Sequence, residues 1–175
     1  MLKDDLIYLR KLESLDLDRT WEWINTPEIF LVLGVTAPIT KSAQQRWFEN
    51  LDQSDDRIVF AICLHEENEH IGNISLDSID WRHRNARLAI FIADKSYHGK
   101  GIGSRAVNLL LKYAFNYYNL HRIYLKIDAE REKELFKFYG RFGFRKEGYL
   151  VEHEYKNGQY IDKIIYGLIR NNWII

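Results

Sequence analysis

Cysteine is nearly missing from this chain. A single one, Cys63, stands in 175 residues, so no internal disulfide can staple the fold. It lies inside the apolar run Ile58–Leu64, where a lone thiol reads as a small core side chain. Proline is scarce as well, with two residues, and repeats, low-complexity tracts and linker-like stretches are lacking. Nothing divides the chain, and residues 1–175 read as one domain, long enough to bury a sizeable core. No apolar run reaches the length of a membrane span and no secretory leader pattern opens the sequence, so a cytoplasmic protein is expected. Net charge is absent too: 25 lysines and arginines balance 25 aspartates and glutamates. That balance argues against a nucleic-acid binder relying on broad phosphate attraction, and neither nucleic acid nor a membrane is expected as a partner.

What the chain does have is aromatic side chains, 14% of its residues, and regular apolar spacing. Leu6–Leu12 alternates and reads as a strand. Asp16 or Asp18 then caps a helix carrying Trp21, Trp23 and Ile24 that ends near Asn25-Thr26-Pro27. Thr40 is placed to cap a second helix, Lys41–Leu51. Three strand-like runs follow, Arg57–His65, His70–Trp81 and Asn85–Ala93, with joins short enough for antiparallel hairpins. The spacing predicts helices over Ala106–Tyr118 and Glu130–Phe142, separated by the alternating run Arg122–Asp128. Strand, helix and strand in that order imply a right-handed crossover and a parallel pair. Asn157-Gly158 is a two-residue hairpin signal between Val151–Tyr155 and Tyr160–Leu168. The sum is an α+β fold with antiparallel strands first, one parallel crossover and a closing hairpin, unlike a doubly wound dinucleotide fold.

The crossover begins with Ser96-Tyr97-His98-Gly99-Lys100-Gly101-Ile102-Gly103-Ser104-Arg105. Glycines where a strand becomes a helix permit positive φ and let a ligand approach the backbone. The helix start leaves N–H groups unpaired and adds partial positive charge, which makes an anion site with Lys100 at its rim. A P-loop fails because Gly101 follows Lys100, and the dinucleotide fingerprint fails at Ser104. A plain tight turn or helix cap is the other reading. The stretch resembles the Gln/Arg-x-x-Gly-x-Gly/Ala pattern of the GNAT acetyltransferases, with His98 in the first place. A second stretch, Glu132 to Phe144, is similar to that family's Asn-x-x-Ala-x-x-x-Tyr-x-x-x-Gly-Phe at Tyr139 and Gly143-Phe144. Glu132 stands there for the Asn and Leu135 for the Ala, and a core tyrosine is the alternative. The opening strand, the Trp-rich helix, the Asn-x-Pro-Glu turn and the second helix resemble the branch of ribosomal-protein N-terminal and spermidine acetyltransferases.

The resemblance implies a mixed, mostly antiparallel central sheet of about seven strands flanked by helices, with one parallel pair splayed at the cofactor site. It implies transfer of acetyl from acetyl-coenzyme A to a primary amine: a protein N-terminus, an amino acid, an amino sugar or a polyamine. The implied cofactor contacts are His98, Gly99, Lys100, Gly101, Ile102, Gly103 and Ser104 at the pyrophosphate. Phe91, Ile92 and Ala93, on the splayed or bulged strand, would meet the acetyl-pantetheine arm, with Glu132 and Tyr139 beyond them. No metal is implied, and a homodimer is left open.

A thiol pKa of about 8.5 makes thiolate a fair leaving group, so an acid helps without being indispensable. The resemblance gives that role to Tyr139. Many relatives carry a glutamate at the position aligned with Arg87, which cannot act as a base. Asp77 is the substitute, Asp80, His83 and Glu152 are further candidates, and a water chain would serve without any of them. Glu132 must either point outward or mark a changed contact, since a carboxylate repels phosphate. Between Thr20 and Asn50 the only glutamates are Glu22, Glu28 and Glu49, and Arg46, Lys41 and Arg19 offset them, which weighs against a polyamine. Arg82, Arg84 and Arg87 suit either an anionic acceptor or a solvated hairpin. The competing class is a non-catalytic acyl-coenzyme A binding or sensor module.

Overall fold

The computed structural model describes residues 2–35, 37–66 and 68–174, without the side chains of Leu31 and Val32. In chain order the elements are β1 (Leu2–Lys3), β2 (Ile7–Lys11), α1 (Leu17–Ile24), α2 (Pro27–Leu33), α3 (Lys41–Leu51), β3 (Ile58–Leu64), β4 (His70–Asp80), β5 (Asn85–Ile92), α4 (Ile102–Asn116), β6 (Arg122–Asp128), α5 (Glu132–Gly140), β7 (Arg145–Lys156) and β8 (Gln159–Ile169). The strands form one eight-stranded sheet in the order β1-β2-β3-β4-β5-β6-β8-β7. All neighbours are antiparallel except β5 and β6. The α+β class and the parallel crossover are as expected. The additional strand is β1, two residues long, too short for alternation to register.

Both faces of the sheet are covered, as the strand patterns require. Ile7, Leu9, Phe60 and Ile62 pack on one face beneath the buried stripe of α4, which includes Ala106, Val107, Leu110, Leu111 and Phe115. The alternate residues Tyr8, Val59, Ala61 and Cys63 face the other side, where Trp47, Phe48 and Leu51 of α3 cover them. Thr40 caps α3 as expected, its hydroxyl accepting from the Ala43 N–H at 3.2 Å. Asp16 sits at the cap of α1 without making a cap bond. Its carboxylate instead takes both guanidinium nitrogens of Arg10, at 2.6 and 2.8 Å, and the Glu13 N–H at 2.9 Å.

Helix α1 ends at Ile24 with Asn25 as its cap, as expected. A helix not expected from the sequence, α2, opens at Pro27, where a first-turn residue needs no N–H. Two further helix boundaries differ from expectation. Helix α4 starts at Ile102 instead of 106, which puts Gly103, Ser104 and Arg105 in its first turn. Helix α5 begins at Glu132, after a single tight turn over Ala129–Arg131. The closing hairpin turns at Asn157 and Gly158, with φ of 51° and 82°.

The feature that positions the site is a short pairing. Strands β5 and β6 are in register only at Asn85–Arg122, Ala86–Ile123 and Arg87–Tyr124. Both continue beyond that point, β5 held by β4 up to Gly72–Ile92 and β6 held by β8 up to Asp128–Lys163. A gap therefore opens in the middle of the sheet.

Candidate active site

One wall of the gap is the backbone of β5. The Ala93 N–H donates to the Ile71 carbonyl at 2.9 Å, so Ala93 faces β4. By strand alternation Phe91 also faces β4, whereas the peptide groups of Ile90 and Ile92 face the gap. The Ile92 carbonyl confirms the direction, since it is 3.1 Å from His98 Nε2 on the far side. Of the three residues expected to meet the acetyl-pantetheine arm, Ala93 therefore has its amide spent on the sheet and Phe91 has its amide facing β4. Ile90 takes their place beside Ile92. The register runs without interruption from Gly72 to Leu76 against β5, so the strand is splayed, not bulged.

The open end of the gap meets the glycine loop. Gly99 and Gly101 have φ of 76° and 81°, and a Cβ on either would meet no atom within 4 Å. Gly101 is the cap of α4, its carbonyl accepting from Arg105 N–H at 3.1 Å. The N–H groups of Ile102, Gly103 and Ser104 lie in the turn where a helix offers no internal partners. Left-handed backbone, clear space and unpaired donors fit a diphosphate. His98 ties the loop to β5 through Ile92. The Lys100 ammonium lies 5.6 Å from the Tyr97 ring, and Arg105 is engaged by Asp4 and Asp5.

Helix α5 closes the third side. Phe138 lies against Gly103, its ring 3.5 Å from where a Cβ would stand. Tyr139 packs edge-on against Phe138 and Phe144, and burial pushes its hydroxyl up to about 12. Among the described residues that hydroxyl has no hydrogen-bond partner. Gly143 serves the backbone, with φ of 96° and a Cβ position 2.1 Å from the Asn172 carbonyl. Sequence reasoning missed Arg141, whose Nη1 donates to Ser104 Oγ at 3.1 Å and whose guanidinium lies over the Phe138 ring. A cation two residues past the tyrosine was the available signal.

Other candidates are not brought together with this wall. Asp77 pairs with Arg87 four strand positions from Phe91, about 14 Å along the sheet. Its carboxylate is taken by Arg57 at 3.0 Å, Arg87 at 3.3 Å and the Ser75 hydroxyl at 3.1 Å. Those bonds occupy the carboxylate away from the gap, so the expectation of Asp77 as base is revised. Asp80 and His83 pair with each other at 2.8 Å in the exposed turn at the opposite end of β5. Glu152 stands exposed on the hairpin, its N–H donating to Asp162 at 2.7 Å. Among the described residues no cluster of three or more His, Cys, Asp or Glu could hold a metal ion, and no helix is long and apolar enough to cross a membrane.

Beside the end of β5, α1 and α2 border a cavity of about 400 Å³ lined by Trp23, Thr26, Glu28, Ile29, Ala93, Asp94 and Lys95. Trp23 meets Phe91 at 6.0 Å and His70 at 4.8 Å, and His70 in turn lies 3.1 Å from Asp16. A cavity of about 220 Å³ near Trp81 and Arg57 lies at the other end of the sheet, away from the loop. Residues 7–145 match the sequence profile of the acetyltransferase (GNAT) domain. The chain belongs to the GNAT acetyltransferases. It is 38% identical over 113 residues to the spermidine N(1)-acetyltransferase of Escherichia coli K12, a stretch covering 65% of this chain and 58% of that one. A putative ribosomal N-acetyltransferase of Bacillus subtilis is 34% identical over 102 residues, 58% of this chain and 55% of that one. The crystal structure of a Vibrio cholerae spermidine N-acetyltransferase in complex with CoA and spermine superposes with a TM-score of 0.89 at 27% identity, covering 97% and 98% of the two chains. The splayed, mostly antiparallel sheet is thus the GNAT fold, and the activity class is acetyl-coenzyme A–dependent N-acetyl transfer.

Proposed function

We propose that this GNAT domain, spanning the whole chain as a cytoplasmic enzyme, acetylates a primary amine of the polyamine class. The observation that carries the reading is the parting of β5 from β6 beside the unpaired amides of α4. When bound, acetyl-coenzyme A supplies a thioester carbonyl open to attack by an amine. The Ile102, Gly103 and Ser104 amides hold its diphosphate, with Arg141 and Lys100 adding charge. The Ile90 and Ile92 peptide groups line up the arm and present donors to the carbonyl oxygen. Tyr139, uncharged through the neutral range, gives its proton to the departing sulfur. The acceptor loses its proton through water, since Asp77 is clamped.

The polyamine assignment is supported by the named relatives and by the state of the cations counted against it. Arg19 lies 3.8 Å from Glu69 and Lys41 is 2.7 Å from Asp18, both carboxylates outside that count. Incubation with acetyl-coenzyme A and spermidine, spermine, a peptide N-terminus, an amino acid or an amino sugar, read by thiol release, tests it. The highest kcat/KM is expected with spermidine. Turnover of the peptide alone would move the acceptor class, and coenzyme binding without thiol release from any amine would favour the sensor reading.

A further inference from the structure

Glu132 is the group least suited to a ligand bearing several negative charges. It heads α5 directly after the turn that leaves β6 at Asp128, at the end of the gap, on the helix that also carries Phe138, Tyr139 and Gly140. Its carboxylate is not free. Lys146 of β7 donates to Oε1 at 2.9 Å, and the Tyr166 hydroxyl of β8 donates to the same oxygen at 3.0 Å. The Lys146 bond, with the Tyr166 bond, holds the carboxyl below its ordinary range, so it is an anion at neutral pH. Tyr166 is buried and its hydroxyl is pushed up to about 12, so it contributes a neutral donor and no charge. Among the described residues only Lys146 pairs with Glu132 as a cation. Oε2 has no bond among the described residues and is left to accept from an N–H.

We propose that Lys146 is a positioning residue for coenzyme binding: it neutralises and orients Glu132 so that α5 admits an anionic ligand, with Oε2 presented to an amide N–H of the pantetheine arm. The inference rests on the coenzyme site proposed above and answers the two alternatives open for Glu132. It marks a changed contact, with a lysine supplied from another strand to make the change tolerable. The ion pair is half-exposed, with side-chain exposures of 44% and 35%, so removing it leaves folding intact while changing the local potential.

Isothermal titration with coenzyme A tests this on four proteins alongside thermal unfolding. Lys146→Ala should raise the dissociation constant roughly fivefold to tenfold, by exposing the ligand to an uncompensated charge, and the effect should shrink in high salt. Lys146→Arg should bind nearly as the unsubstituted protein does. Glu132→Gln added to Lys146→Ala should restore affinity, which a merely structural role would not produce. Lys146→Met serves if the alanine variant is unstable. Unchanged affinity in Lys146→Ala, or a double variant as weak as the single, would overturn the proposal; the second result would mean that Lys146 touches the coenzyme itself. Failure of the unsubstituted protein to bind coenzyme A would instead sink the site reading.

Discussion

On the loop side of the β5–β6 gap the proposed coenzyme site is made of main chain: the amides opening α4, the left-handed glycines 99 and 101, and the peptide groups of Ile90 and Ile92. On the side under α1 and α2, and along β7 and β8, where we place the acceptor, the surface is made of side chains already in pairs. Lys163 bridges Asp128 at 2.6 Å and Glu154 at 2.5 Å, Lys156 reaches Asp128 at 3.0 Å, and Lys95 lies 3.5 Å from Glu28. A backbone site depends on conformation and tolerates few residue types. A side-chain site can change partners without changing the fold, so acceptor choice is free to drift while the coenzyme half stays put.

The comparison breaks most visibly at Asp16. Asp16→Ala leaves Arg10 and His70 without their shared anion, and urea unfolding should show a loss of about 3–5 kcal/mol. Burial pushes the Asp16 carboxyl up, but the bonds from Arg10 and His70 outweigh that and hold it well below the usual carboxylate range. With the folded pKa below the unfolded one, this stability is present above the ordinary carboxylate pKa and is lost as pH falls. Coenzyme affinity should hardly move, because the support removed lies at the start of α1, away from the glycine loop and α5. Tyr139→Phe should lower kcat about a hundredfold with coenzyme affinity nearly intact; an unchanged rate would remove Tyr139 from the acid role. Because burial raises that hydroxyl to about 12, the kcat profile should show no descending limb at about pH 10, where an ordinary tyrosine ionises. Gly101→Val forces a β-branched residue into φ of 81° and puts methyls where the ligand lies, so the coenzyme dissociation constant should rise about tenfold. The smallest effect is expected from Glu28→Gln, half of an exposed pair with Lys95, which should change acceptor KM by no more than about fivefold.

Legibility divides along the same line. Arg122–Asp128 reads as a strand because its side chains alternate between buried and more accessible, and Asn157-Gly158 reads as a turn because its two positive φ angles favour those residues. The glycine loop is legible as the turn into α4 because its glycine positions encode backbone geometry. Helix α2 is not, since Pro27 looks like a stop until its first-turn position is known. Nor is the fate of Asp77, whose partner Arg57 is distant in sequence, or of Glu132, whose partners come from β7 and β8. Which amides of β5 face the gap depends on the phase of its pairing with β4. That phase places Ala93 on the wrong side and brings in Ile90.

The most direct test of the whole account is an amide NMR titration with coenzyme A. The account predicts the largest shifts at the N–H groups of Ile102, Gly103 and Ser104, with Ile90 and Ile92 following and Ala93, bonded within the sheet, moving little. Shifts confined to another face of the protein, such as the cavity beside Trp81, would contradict it.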